Sequence, residues 1–504
     1  MPKKMPIFYS AIMLTGVNLL LRFVSTSFQV FISRKIGAAG VGLLQLVLSV
    51  GALAITAGMA GIRTATMYLT AEELGHKKPQ NVTWVLSGCV VYSVVCSGAI
   101  ALALYFFAPL LAENWIGDIR TANAIRLYGC FVPVSCLCGV MTGYFTAANR
   151  IGTLAIVEIG EQLLSMAITM ATLIFWAGSS PEKACESIIL GSGVSSVFTL
   201  CTLIILRLSE RPKTGPAIPV RSRLLQAAVP LALADNLKSG ISTTENLMVP
   251  RRLSLYPGVS DPLAAFGMVC GMVFPILMFP AAILFGLAEL LIPEMARCAA
   301  AGSTNRTQYL AKRSLRITVL YGFLLFGLEF LAAEQLCITL YDNSDAGTHL
   351  RLYALLIPVL YCDAITDAMI KGLGQQKICV RYNIITSAMD VALLFVLLPN
   401  YGMMGYFFSF LITHLINFGL SLRRLLKIVG NVITVSMPLK TGFAAILSVW
   451  LASFLSLPGF RIGAFILIFG SFLILLNVIK KEDITWIKGL VQKRGSIINV
   501  GVRR

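Results

Sequence analysis

The chain is poor in charge, poor in histidine and empty of the short motifs that mark most enzymes. Only 13% of its 504 residues are charged. A soluble domain carries about a quarter, so a soluble globular protein of this size is excluded. The three histidines, His76, His349 and His414, are far apart. The first two fall in loops, and His414 reads as a hydrogen-bonded packing residue. No GxSxG elbow, P-loop, HExxH pair or dinucleotide fingerprint occurs, which argues against serine hydrolases, ATP-driven pumps, zinc peptidases and nicotinamide enzymes. The twelve cysteines are scattered. Cys136 and Cys138 form a CxC with no histidine nearby, so neither a disulfide framework nor a metal site is expected, and the cysteines read as small apolar side chains. No small-residue cleavage pattern follows the first apolar run, so no cleavable signal is expected. No cofactor is expected beyond a coupling ion.

What is present is apolar length. Hydrophobic residues make up 57% of the chain, with a mean hydropathy of +0.82. About 20 apolar residues cross a bilayer core. Candidate spans lie at 7–33, 41–70, 84–110, 124–147, 153–177, 185–206, 226–250, 262–293, 315–341, 350–371, 381–399, 402–422, 440–457 and 462–479. The pattern predicts an all-α polytopic membrane protein of about 14 transmembrane helices.

Two of these spans open on the same words. Arg126-Leu127-Tyr128-Gly129-Cys130-Phe131-Val132-Pro133-Val134 and Arg351-Leu352-Tyr353-Ala354-Leu355-Leu356-Ile357-Pro358-Val359 share five of nine residues at an offset of 225. Duplicated halves in a membrane chain characterise transporters whose site lies at the repeat interface. The expected division is a six-helix lobe at 1–206, a basic linker at 207–225, a second six-helix lobe at 226–422, a linker and two helices at 423–479, and a basic tail at 480–504. Prolines 212, 216 and 219 keep the linker extended. Pro133, Pro275, Pro280 and Pro358 are candidate hinges within spans.

Net charge is +18, and its placement is informative. Lys3 and Lys4, the loop with Arg207, Arg211, Lys213, Arg221 and Arg223, the loop with Arg297, Arg306, Lys312, Arg313 and Arg316, and the tail all fall on one side. The larger share of the 41 lysines and arginines lies there. That bias predicts cytoplasmic N- and C-termini and attraction to anionic membrane lipids. Nucleic-acid binding is not needed to explain it. Residues 484–491 place Ile484, Ile487, Leu490 and Val491 on one helical face, which suggests a short interfacial helix.

Charges inside spans cost about 2.5–3.5 kcal/mol on insertion scales and face a partner or a wet cavity. Arg22 lies in mid-span one, Arg63 in span two, and Asp235, Lys238 and Glu245 share a face of span seven. Counting back from Arg34-Lys35 and from Arg251-Arg252, Arg22 falls within one position of Lys238. Arg22 and Lys238, with Arg34, Lys35, Arg251, Arg252 and Arg63, are therefore candidates for holding an anion, for which phosphate is the natural choice. Internal pairing, such as Lys238 with Asp235, is the competing reading. Glu158 and Glu161, Asp363 and Asp367, together with Asp235 and Glu245, are candidates for coupling or gating with Na+ or H+. Asp390 adds a further acid in span eleven.

The stretch Ile32-Ser33-Arg34-Lys35-Ile36-Gly37-Ala38-Ala39-Gly40-Val41-Gly42-Leu43-Leu44-Gln45-Leu46 resembles the first-loop signature of the stage V sporulation protein B family. Val229-Pro230-Leu231, Glu245-Asn246-Leu247-Met248-Val249-Pro250-Arg251-Arg252-Leu253, Phe279-Pro280, Leu290-Leu291-Ile292-Pro293-Glu294 and Glu161-Gln162 resemble it too. The resemblance covers essentially the whole chain. It implies the multidrug/oligosaccharidyl-lipid/polysaccharide (MOP) superfamily and two six-helix lobes around a cavity. The implied function is a flippase moving undecaprenyl-pyrophosphate-linked saccharide, such as a peptidoglycan precursor for spore cortex, across the cytoplasmic (inner) membrane of a bacterium by alternating access. The cargo, membrane lipids and cell-wall synthesis enzymes are the implied partners. Where related lipid II flippases tend to carry an Arg-Asp pair in the first helix, this chain has Phe28-Gln29. A cation-coupled multidrug exporter of the same fold is the alternative, and the intramembrane acids keep it open. A membrane enzyme would need a large outer catalytic loop, and the outer loops are short. No enzymatic activity is expected.

Overall fold

A computed structural model describes residues 7–76, 78–177, 180–210, 220–430, 436–455 and 457–478. The tail with its expected interfacial helix, Lys3, Lys4 and the centre of the basic linker lie outside the described residues. The described residues form helices and short connections with no strand among them, as the apolar runs predict. The helices are α1 (Ile7–Met59), α2 (Ile62–Gly75), α3 (Val82–Leu111), α4 (Ala122–Ala147), α5 (Ile151–Thr172), α6 (Pro181–Ser209), α7 (Arg221–Leu253), α8 (Pro262–Met268), α9 (Phe274–Met278), α10 (Ala281–Ala300), α11 (Thr304–Tyr341), α12 (Ser344–Ala354), α13 (Ile357–Gly372), α14 (Gln376–Val429), α15 (Ser436–Ser453) and α16 (Pro458–Leu475).

Two helices are too long for one crossing: α1 has 53 residues and α14 has 54. A crossing needs about 20. Each is broken by one glycine in a conformation that side chains avoid. Gly37 has φ 71° and ψ 175°, and Gly402 has φ 57° and ψ −137°. Dividing α1 and α14 there, joining the second part of α1 to α2, and counting α8–α10 and α12–α13 once each gives fourteen segments among the described residues. They match the fourteen predicted spans. A bend of 55° separates α12 from α13. Pro358, in the first turn of α13, lacks the amide that would carry the ladder across. Pro133 sits inside an unbroken α4, so the two copies of the repeat treat the same proline differently.

The offset of 225 extends into backbone detail. Gly117 and Asp342 both adopt left-handed conformations. The residues after them, Asp118 and Asn343, both turn the chain into a helix by accepting a backbone amide on the side chain, from Arg120 and Ala346. Asx caps of this kind satisfy otherwise unpaired N-terminal amides.

The helices group into two compact units. One comprises residues 23–272 and 387–409. Its core includes Ile62, Val85, Cys89, Val140, Phe145 and Leu203, contributed by α2, α3, α4 and α6. Here α1 and α8 approach backbone to backbone: a Cβ on Gly267 would lie 2.0 Å from the Ala38 carbonyl oxygen, and one on Gly42 2.3 Å from that of Leu263. The other unit comprises the described residues within 7–22, 273–386 and 410–478. In it α11 packs against α12, α13, α15 and α16. Tyr353, fully buried, meets Phe274 edge-on at 5.7 Å. All twelve cysteines are unpaired thiols.

Candidate functional site: a polar helix and a buried carboxylate network

Helix α7 has 33 residues, about 50 Å at 1.5 Å per residue, ample for a crossing. It is more polar than α3, α4 and α6. Its middle reads Asp235-Asn236-Leu237-Lys238-Ser239-Gly240-Ile241-Ser242-Thr243-Thr244-Glu245-Asn246. Asp235 and Lys238 are exposed on one face, and no salt bridge joins them among the described residues. Two turns further along, the helix docks on α1, where Thr243 donates to the Ser49 carbonyl at 3.1 Å and Asn246 to the Ser49 hydroxyl at 2.9 Å. A span-length helix with an unpaired ammonium on an open face requires water or a counter-charge beside it.

The other bases in this unit have separate surroundings. Arg34 and Lys35 are exposed immediately before the Gly37 break, Arg63 is exposed at the start of α2, and Arg251 is exposed near the end of α7. Arg252 lies 3.1 Å from the centroid of the Phe395 ring, a cation–π contact. In the other unit, Arg22 is half-buried and its Nε has no hydrogen-bond partner.

Glu245 neighbours Asp390 of α14, and the Ser409 hydroxyl donates to Asp390 Oδ1 at 2.6 Å. Glu161 accepts from the Ser196 hydroxyl at 2.8 Å. Its neighbour Gln162 donates to the Ser25 hydroxyl. Glu158 is exposed.

The second network belongs to the unit built on α11. Asp363 and Asp367, one turn apart on α13, are both buried. Asp363 Oδ2 lies 2.9 Å from His414 Nδ1, and its Oδ1 accepts from the Asn417 amide at 2.8 Å. Asp367 accepts from the Ser421 hydroxyl at 2.8 Å and from the Asn383 amide at 3.1 Å. His414, Asn417 and Ser421 recur at spacings of three and four along α14, which puts them on one face. The His414 ring packs 4.4 Å from that of Phe410. Oxygens, amides and an imidazole in one buried cluster can exchange a proton or meet a hard cation.

The α14 donors give no signal in isolation, since each is a single polar residue in an apolar run. Their spacing, read against the equally spaced acids of α13, is the pattern that would have found them. Glu329 of α11 was also missed: it is buried, and neither carboxyl oxygen has a hydrogen-bond partner. Several bases of the basic loops are paired with acids. Arg223 bridges Glu72 and Glu73 at 2.9 and 2.8 Å, and Arg150 and Arg207 both reach Glu210 at 2.6 and 2.8 Å.

Residues 14–178 match the family model described as MatE. Stage V sporulation protein B of Bacillus subtilis (strain 168) is 23% identical over 419 residues, covering 78% of each chain. Sporulation protein YkvU of the same organism is 20% identical over 401 residues, covering 75% of this chain and 85% of its own. Among solved structures, "Lipid II flippase MurJ, inward closed conformation" superposes with a TM-score of 0.68 at 13% identity, covering 91% of this chain and 98% of that one. An inward-facing multidrug resistance MATE family transporter of the MOP superfamily gives 0.63 at 14% identity, over 81% and 94%. The chain is a sequence relative of Stage V sporulation protein B, has the MOP-superfamily fold, and is a multi-pass membrane protein.

Proposed function

We propose that this chain is a flippase that carries an undecaprenyl-pyrophosphate-linked saccharide, a peptidoglycan precursor for spore cortex, across the cytoplasmic membrane by alternating access. The observation that carries the reading is the open polar face of α7 with an unpaired Lys238. An ammonium there binds a mobile anion, and a pyrophosphate supplies one with charge to spare. Arg22, near-equivalent by position in its own repeat, has a buried Nε without a partner and is a second candidate for the same anion chemistry. Arg34, Lys35, Arg63 and Arg251 extend the same sign of charge, whereas Arg252 is engaged with Phe395. The division into lobes at 1–206 and 226–422 with cytoplasmic termini belongs to this proposal, as do cell-wall synthesis enzymes as consumers of the product.

The carboxyl clusters supply the coupling. Loading and release of a proton or Na+ at Glu245–Asp390 or at Asp363–His414 would bias the helices that carry them. The same clusters favour a second reading, a cation-coupled multidrug exporter, because acids rather than bases are the buried groups.

The test is flipping of a labelled lipid-linked pyrophosphate saccharide in proteoliposomes, with Lys238→Ala and Arg22→Ala beside the unaltered protein. Flipping by the unaltered protein, lost in both folded variants, is expected. No flipping, with exchange of organic cations under an ion gradient, would replace this reading by the second.

A further inference from the structure

The compact unit built on α11 holds a cavity of about 530 Å3 between α11, α13, the second part of α14 and α15, and neither Asp363 nor Asp367 lines it. Its walls are apolar: Phe323, Val359, Leu415 and Phe418 face it. One rim is cationic. Lys312 and Arg316 are one turn apart on α11, and Lys440 lies in the first turns of α15. No carboxylate occurs among the described lining residues. An apolar chamber with three cations and no acid at its rim has the chemistry of an amphiphile site with a negative head.

A structural role for the rim bases accounts for part of this arrangement only. Arg316 Nη2 donates to the Val478 carbonyl at 2.5 Å and Lys440 Nζ to the Leu476 carbonyl at 3.3 Å. Both thus reach the carbonyls just beyond α16, where a helix end attracts cations. Lys440 keeps two of its three donors for another acceptor. Lys312 caps no helix end among the described residues and is exposed. The carbonyl bonds hold Arg316 and Lys440 in place beside it.

Size and position select the amphiphile. A methylene fills about the 30 Å3 share of a water molecule, so the chamber takes up roughly one acyl chain. A long polyprenyl chain would not fit inside it. The rim belongs to the end of the unit where the basic loop 296–316 enters α11. The positive-inside bias assigns that end to the cytoplasmic leaflet, whose anionic lipids attract such clusters.

We infer that this cavity is a binding site for an anionic diacyl phospholipid of the membrane, with the phosphate at Lys312, Arg316 and Lys440 and one acyl chain between α11, α13, α14 and α15. The site makes no assumption about the transported cargo. A lipid seated there ties α15 to α11 and α13, so occupancy stabilises the packing of the two C-terminal helices on this unit.

The test uses the full chain purified in detergent, with bound lipid read by native mass spectrometry during titration. Dioleoyl phosphatidylglycerol is the probe. Dioleoyl phosphatidylcholine, undecaprenyl phosphate and sodium phosphate are the comparisons. Phosphatidylglycerol is expected to bind at a concentration lower than phosphatidylcholine by roughly tenfold, a margin that Lys312→Gln with Lys440→Gln removes. Leu415→Trp, which fills the chamber and keeps the rim charges, is expected to abolish retention of the lipid. Equal binding of the two phospholipids would overturn the inference, as would unchanged phosphatidylglycerol binding in either altered protein. Displacement of the lipid by inorganic phosphate alone would mean an anion site without a chain site. Tighter binding of undecaprenyl phosphate would assign the chamber to the cargo. Either result also overturns the inference.

Discussion

The closest helix approach offers the cleanest quantitative test. Gly267 of α8 faces Ala38 and Gly42 of α1, and a Cβ there would lie 2.0 Å from the Ala38 carbonyl oxygen and 2.4 Å from the Gly42 nitrogen. Ordinary contact begins at 3.4 Å, so Gly267→Ala requires movement of about 1.4 Å. Both obstacles are backbone, which no rotamer change can relieve. Two effects then compete. Alanine favours the helical conformation by about 1 kcal/mol over glycine. Overpacking a close interface costs about 1–3 kcal/mol, and a gap of even 0.5–1 Å forfeits a quarter to a half of each dispersion contact along it. The overlap is deep and rigid, so the cost wins. Taking the upper end of that cost, Gly267→Ala is expected to destabilise by about 2 kcal/mol net. Gly98→Ala is the control, because a Cβ on Gly98 in α3 meets nothing within 4 Å. Propensity acts alone there, so its stability should be unchanged or slightly raised. Thermal unfolding of both variants in one detergent, followed by intrinsic fluorescence, separates the cases. A Gly267→Ala protein as stable as wild type would refute the backbone contact, and with it the steric reason for glycine at Gly42 on the facing helix.

Asp363→Ala leaves the His414 ring nitrogen and the Asn417 amide without their acceptor in a buried setting, and is expected to cost about 2–4 kcal/mol of stability. Asp363→Asn keeps one acceptor oxygen and should cost less. Denaturant titration of the purified variants ranks them, and equal costs would contradict the network. Asp118 lies in the loop between α3 and α4, where the guanidinium of Arg120 holds its carboxyl below the usual carboxylate range despite partial burial. A lowered folded value stabilises above the ordinary carboxylate value and is lost as pH falls through the folded one. The stability margin of wild type over Asp118→Asn should therefore be flat from neutral pH to about pH 4 and shrink below it. A margin that grows on acidification would reverse the sign. Glu329→Leu removes a buried carboxyl with no hydrogen-bond partner and is expected to raise stability, since an unpartnered buried acid costs more than an apolar side chain of similar size. A loss of more than about 1 kcal/mol would show a partner that the geometry lacks.

The parts legible in the sequence are those written in short-range pattern. Fourteen apolar runs became fourteen helical segments because a bilayer leaves the backbone few other ways to satisfy its amides. The offset of 225 read from Arg-Leu-Tyr extends to Gly117–Asp118 and Asp342–Asn343, whose cap geometry depends only on adjacent residues. The polarity of α7 was equally plain, being a property of twelve consecutive residues. What the pattern could not assign was partners. Asp390 lies 145 positions from Glu245 in the sequence, and Phe395 lies 143 from Arg252. Opposite charge predicts Lys238 with Asp235, yet Glu245 meets another acid and Arg252 meets an aromatic ring. Charge arithmetic along a helix fails here for a physical reason. In a membrane chain an ionisable group is matched by whatever the neighbouring helix presents beside it, and a helix distant in sequence can present an acid or a ring as readily as an opposite charge.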